Sequence, residues 1–229
     1  VSTMREESSA WRSPYWVVLG LVVVSYGACA AQLTPDPGSI ALLVQLLTIA
    51  VAFRAARMPP RIQHVTWMVT GFAGLVVIAG ALLGLRGAGL DLALSAASMV
   101  AYVSAPVAIL LDQVRRPLSN ASALLAVVSA YLMVGMVFTF AYNLFALVSP
   151  VPTFGEDHVD SLSNQLFFSF TTLTTTGFGN LVPVSPAVQS VAILEAITGQ
   201  LFLLIGVARI LNLHLTRTVE PVPREGRNR

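Results

Sequence analysis

Apolar residues run through this chain in long blocks. Six of them approach the roughly 20 residues that an α-helix needs to cross a bilayer core of about 30 Å, and they cover residues 14–33, 39–55, 64–84, 91–112, 122–149 and 186–213. Four clusters of breakers and charges separate the first five: Thr34-Pro35-Asp36-Pro37-Gly38, Met58-Pro59-Pro60-Arg61, Arg86-Gly87-Ala88-Gly89 and Arg115-Arg116-Pro117-Leu118-Ser119-Asn120. Proline and glycine punctuate helices, so each cluster is predicted to be a loop between spans. The first block is too long for the core of a cleaved signal peptide and more spans follow it, so it is expected to stay as a span.

Composition agrees with a multi-pass membrane protein. Of 229 residues, 55% are hydrophobic and 10% charged, whereas about a quarter of the residues in soluble proteins are charged. A soluble enzyme with a polar shell and large domains outside the membrane are both excluded. The net charge of +2 is carried by arginine, since all 13 basic residues are Arg. Together with abundant Ala and Val, the lack of Lys points to a GC-rich bacterial genome and so to the bacterial inner membrane. Cytoplasmic loops collect positive charge. Placing the N-terminus inside puts Arg5, Arg12, Arg54, Arg57, Arg61, Arg115, Arg116, Arg217, Arg224, Arg227 and Arg229 in the cytoplasm, and leaves only Arg86 outside, with Arg209 near the inner end of the last span. Both termini are then cytoplasmic, and Glu156, Asp157 and Asp160 face the exterior. The single cysteine, Cys29, allows no disulfide within the chain and reads as a small apolar helix residue.

Residues 150–186 carry the chemistry. Ser161 to Leu173 is too short to span and is half polar. Asp160 or Ser161 offers an N-cap, and Leu162, Gln165, Leu166, Ser169 and Phe170 recur at helical spacing, which predicts a short helix dipping into the membrane. It runs into Thr171-Thr172-Leu173-Thr174-Thr175-Thr176-Gly177-Phe178-Gly179-Asn180. Non-helical backbone at membrane depth is tolerated only where it is buried in protein or lines a watery path. A polar re-entrant loop between two spans therefore points to a pore.

The run Thr175-Thr176-Gly177-Phe178-Gly179-Asn180, followed by Leu181-Val182-Pro183-Val184-Ser185-Pro186, resembles the pore signature of the potassium channel superfamily. The resemblance covers about residues 122–213; over the first four spans it is one of count and topology only. It implies an all-α membrane protein with six transmembrane helices and a re-entrant pore helix and selectivity-filter loop between the fifth and sixth. The organisation that follows is a cytoplasmic segment 1–13, a four-helix unit 14–116 resembling a voltage sensor without gating charges, a pore domain 117–213 and a cytoplasmic tail 214–229. A filter replaces an ion's hydration shell with rings of carbonyl oxygens. Glycine at alternate positions lets successive carbonyls face one axis, and Gly177 and Gly179 supply this. By resemblance the coordinating carbonyls are those of Thr175, Thr176, Gly177 and Phe178, with the Thr175 hydroxyl closing the innermost site and the side chains of Thr176 and Phe178 bracing the loop from behind. The C-terminal end of the pore helix near Thr174 brings the negative pole of its dipole toward the cavity.

Two positions depart from the family pattern. Asn180 stands at the filter mouth where Asp is usual, and Thr176 where Val or Ile is usual. Phe167 and Phe168 occupy positions where the family has hydrogen-bonding aromatics, and they cannot donate, so a filter held less firmly than usual is expected. The fourth span has no basic residue between Leu92 and Leu111, so steep voltage gating is not expected. About 16 residues follow the last span, and the expectation is gating by lipid, pH, stretch or a partner rather than by an attached nucleotide- or Ca²⁺-binding domain.

Three more residues belong to the candidate site. Glu195 is an intramembrane ionisable group, which packs behind the pore by register; bracing the pore helix and modulating permeation both stay open. Gly199 is either a hinge or a close-packing contact, and Gln200, one residue on, is placed to line the cavity. His158 reads as a solvated loop residue.

These residues lead to a passive, homotetrameric potassium channel in contact with membrane lipids. Its only bound ions are the permeating monovalent cations, with K⁺ in the filter. No catalytic residue, further metal site, organic cofactor or nucleic-acid partner is expected. The alternatives are a weakly selective monovalent cation channel of the same fold and a non-conducting membrane scaffold or auxiliary subunit.

Overall fold

In the computed structural model, the described residues are 14–33, 39–83, 88–115 and 120–218. The segments 1–13, 34–38, 84–87, 116–119 and 219–229, and with them Arg5, Arg12, Arg86, Arg116, Arg224, Arg227 and Arg229, lie outside the described residues; of the loops predicted at 86–89 and 115–120, Ala88, Gly89, Arg115 and Asn120 are described and belong to helices instead.

Seven helices follow one another, with no strand among the described residues: α1 (Tyr15–Ala30), α2 (Ser39–Ala55), α3 (Pro60–Leu83), α4 (Ala88–Arg115), α5 (Asn120–Val148), α6 (Leu162–Leu173) and α7 (Pro186–Thr218). Two described stretches are long and apolar enough to cross a membrane, Ser122–Val148 in α5 and Pro186–Gly206 in α7. The predicted blocks fall on helices, with shifted ends. The third begins at Pro60 rather than residue 64, because proline is compatible with the first turn of a helix, where its missing N–H is not needed. The fourth continues through Pro106 and extends to Arg115.

α1 buries Tyr15, Val18, Val22, Ser25 and Cys29 along one stripe, at the three- and four-residue spacing of one helix face. α1 packs against α2, α5 and α6 and meets α4 through Tyr15 and Ser25 of the stripe, while α4 packs on α2 and α5. Several polar groups in this core meet partners across helices: Ser25 Oγ lies 2.8 Å from Tyr102 Oη, Tyr15 donates to Asp112 at 3.1 Å, and Gln45 Nε2 donates to Cys29 Sγ at 3.3 Å. Buried polar groups without partners are costly, so these contacts fix how α1, α2 and α4 mesh. α7 packs against α5 and α6.

α1 also reaches the short helix α6. The Ser163 N–H donates to the Gln32 carbonyl at 3.1 Å, satisfying one of the N–H groups that a helix N-terminus leaves without an internal partner. Further along, Tyr26 meets Phe170 edge to face, with ring centroids 5.0 Å apart.

Candidate functional site

α6 begins where Ser161, in extended conformation at φ −135° and ψ 150°, caps it: its hydroxyl accepts the Asn164 N–H at 3.1 Å. Of the two predicted N-caps, Ser161 takes the role. Asp160 instead accepts the Thr153 N–H on both carboxylate oxygens, at 3.2 and 3.1 Å, which ties down the loop leading from α5. Leu162, Gln165, Leu166, Ser169 and Leu173 form much of the buried face of α6.

The C-terminal end of α6 folds back on itself. The Thr175 N–H donates to the Thr172 carbonyl at 2.9 Å, and the Thr176 N–H to the Thr171 carbonyl at 2.8 Å. These are the two bonds of a Schellman motif, in which the residue past the cap takes a left-handed conformation. Here that residue is Thr175, at φ +56°, where glycine is usual. Gly177 and Gly179 are left-handed too, at φ +53° and +79°, so positive φ recurs at 175, 177 and 179. The glycines were legible in the sequence. The threonine was not, since a β-branched residue rarely adopts this conformation.

The Gly177 N–H also turns inward, to the Thr171 carbonyl at 3.1 Å. Among the described residues no N–H donates to the carbonyls of Thr175, Thr176, Gly177 or Phe178, and residues 174–180 are exposed at the edge of the chain. The side chains around this loop are engaged. Thr174 Oγ1 donates to the Phe170 carbonyl at 2.6 Å and lies 2.9 Å from Thr176 Oγ1. Phe178 stacks on Phe167, with centroids 5.7 Å apart and planes 16° from parallel. Phe168 sits on the other face, in an aromatic group with Tyr142 and Phe154. Asn180 is exposed just beyond the loop, and Gln200 is exposed on α7.

Behind the loop, α6 is held at two levels. At the lower one, the Leu173 carbonyl accepts Tyr131 Oη–H at 3.1 Å, and Gly199 approaches so closely that a Cβ there would collide with the Leu173 carbonyl oxygen. Gly199 is thus a close-packing position. At the upper level lies Glu195, fully buried, as are Tyr142 and Ser169. Tyr142 Oη is 2.6 Å from Glu195 Oε2, and Ser169 Oγ is 2.6 Å from Glu195 Oε1. Glu195 therefore contacts the back of α6, away from the exposed loop. Tyr131, Tyr142 and Ser169 were missed from sequence, although a tyrosine hydroxyl inside an apolar span signals a buried partner.

Residues 126–214 match the family model described as "Ion channel". That range holds most of α5, all of α6 and the loop, and most of α7; α1 to α4 lie outside it. No curated protein and no solved structure matches the chain.

Proposed function

We propose that this chain, a member of the ion channel superfamily through its residues 126–214, assembles as a homotetramer and conducts K⁺ passively through the loop from Thr175 to Gly179. The observation that carries this reading is the loop itself. Its N–H groups from 175 to 177 bond back to α6 and its glycines are left-handed, so the carbonyl oxygens are left to replace an ion's water. A single exposed strand cannot encircle an ion, and four copies can. The Thr175 hydroxyl closes the innermost site, and Thr174 and Gln200 border the cavity. α1 to α5 and α7 cross the bacterial plasma membrane, with both termini in the cytoplasm by the arginine bias. No catalytic step and no organic cofactor is involved.

A weakly selective cation channel of the same architecture is favoured by two particulars. Asn180 leaves the mouth without a carboxylate, and the Thr176 hydroxyl is spent on Thr174 rather than on a wider brace. Flux into liposomes containing the purified protein, under K⁺, Rb⁺ and Na⁺ gradients, separates the readings. Flux of K⁺ and Rb⁺ but not Na⁺, abolished in Gly177→Ala, supports the selective channel; equal flux of all three supports the weakly selective one. Absence of flux under every gradient would overturn both.

A further inference from the structure

The contacts around Glu195 can be counted in protons. Three short oxygen–oxygen contacts meet in a fully buried group: Tyr142 Oη to Glu195 Oε2 at 2.6 Å, Ser169 Oγ to Glu195 Oε1 at 2.6 Å, and Ser169 Oγ to the Gly135 carbonyl oxygen at 2.8 Å. Each distance is that of an O–H···O hydrogen bond and requires one proton. Tyr142 and Ser169 carry one hydroxyl proton each, and a backbone carbonyl can only accept. Two protons cannot fill three contacts.

We infer that the third proton resides on Glu195, which is a neutral carboxylic acid donating to Ser169 and acts as a positioning residue for the filter loop. The chain of donors then runs one way. Tyr142 O–H donates to Glu195 Oε2, Glu195 Oε1–H donates to Ser169 Oγ, and Ser169 O–H donates to the Gly135 carbonyl on α5. In an ionised arrangement the Ser169 proton turns to the carboxylate, and its lone pairs face the Gly135 carbonyl oxygen at 2.8 Å. That leaves a buried charge which no basic side chain pairs among the described residues, an arrangement that is strongly unfavourable.

The acid thereby joins three helices: α7 through its own backbone, α6 through Ser169, and α5 through Tyr142 and Gly135. Ser169 lies one turn and a residue before Thr174, so this junction sets where α6 ends and where the loop begins. It supplies from behind the bracing that Phe167 and Phe168 cannot give by hydrogen bonding. Its importance to permeation rests on the channel reading; its protonation does not.

The arrangement makes Glu195→Gln and Glu195→Ala behave differently. A glutamine keeps one acceptor for Tyr142 and one donor for Ser169, as the neutral acid does; an alanine keeps neither. In liposomes at neutral pH, the infrared difference spectrum between wild type and Glu195→Gln is expected to show loss of a protonated-carboxyl C=O band. Glu195→Gln is expected to keep the Rb⁺ over Na⁺ flux ratio within twofold of wild type, while Glu195→Ala lowers it about tenfold. Where Glu195→Ala does not assemble, Ser169→Ala takes its place with the same expected loss. A carboxylate band lost in place of the acid band, or Glu195→Gln as damaging as Glu195→Ala, overturns the inference. If the wild type carries no flux the channel reading fails, and the infrared band still decides the state of Glu195.

Discussion

The Leu173 carbonyl oxygen occupies the space that a side chain at Gly199 would need, while accepting a hydrogen bond from Tyr131 at 3.1 Å. The obstacle is backbone at the end of α6, which cannot swing aside as a flexible side chain could. Gly199→Ala is therefore expected to separate α7 from α6 and to destabilise the protein by about 1–3 kcal/mol, the usual range for overpacking. Thermal unfolding in detergent measures it. A Gly199 that served only as a hinge would leave the unfolding temperature unchanged.

Gly135 offers a milder version of the same contact. A Cβ there would meet the Phe170 ring at 2.8 to 3.1 Å, and a ring edge can shift. Gly135→Ala is expected to cost about 1–2 kcal/mol by the same mechanism, and Phe170→Leu should recover part of it. The double-mutant cycle reads the coupling directly, because the two residues touch; simple additivity would contradict the packing described.

Left-handed backbone costs an L-residue roughly 1–2 kcal/mol. Gly177→Ala and Gly179→Ala should each pay that amount, with no steric obstacle, since nothing lies within 4 Å of either Cβ position. The protein should assemble and lose flux. Thr175→Gly removes the same penalty at the C-terminal end of α6, and it is expected to raise the unfolding temperature while impairing selectivity through loss of the hydroxyl. Unfolding curves and flux ratios measured on the same preparations check both halves.

In the proposed tetramer, Asn180→Asp places four carboxylates around the mouth. A ring of negative charge concentrates cations at low ionic strength, so K⁺ flux at about 0.01 M salt should rise severalfold. The gain should vanish near 1 M, where the screening length falls to about 3 Å. A salt-independent change would argue that residue 180 acts on the loop's conformation.

α4 carries no basic residue between Leu92 and Leu111. Each gating charge would contribute about 2.3 kcal/mol per 100 mV, so conductance in planar bilayers is expected to vary only shallowly with voltage. A steep sigmoidal relation would require gating charges that the Leu92–Leu111 stretch lacks.

Much of this arrangement could be read from the residues in order. The apolar blocks gave the long helices, Ser161 gave the start of α6, and Gly177 and Gly179 gave the left-handed turns, because each depends on neighbours within a few positions. What stayed hidden depends on distant partners. Ser169 meets Glu195 across 26 residues and Tyr142 meets it across 53, and no local spacing encodes such a junction. For Glu195 and for Gly199, what stands opposite them in the fold could not be read from their own neighbours. Thr175 was hidden for another reason: a helix-ending bond pair overrode the preference of a β-branched residue.

The contact between Gln32 and Ser163 bears on modularity. The range matching the family begins inside α5, yet an N–H in the first turn of α6 is met by the Gln32 carbonyl just beyond α1, and the Phe170 ring rests on Tyr26. A truncated chain starting at residue 120 would lose both supports and open the face of α6 that α1 covers. The residues before α5 thus help to hold α6 in place, and their removal is expected to weaken it.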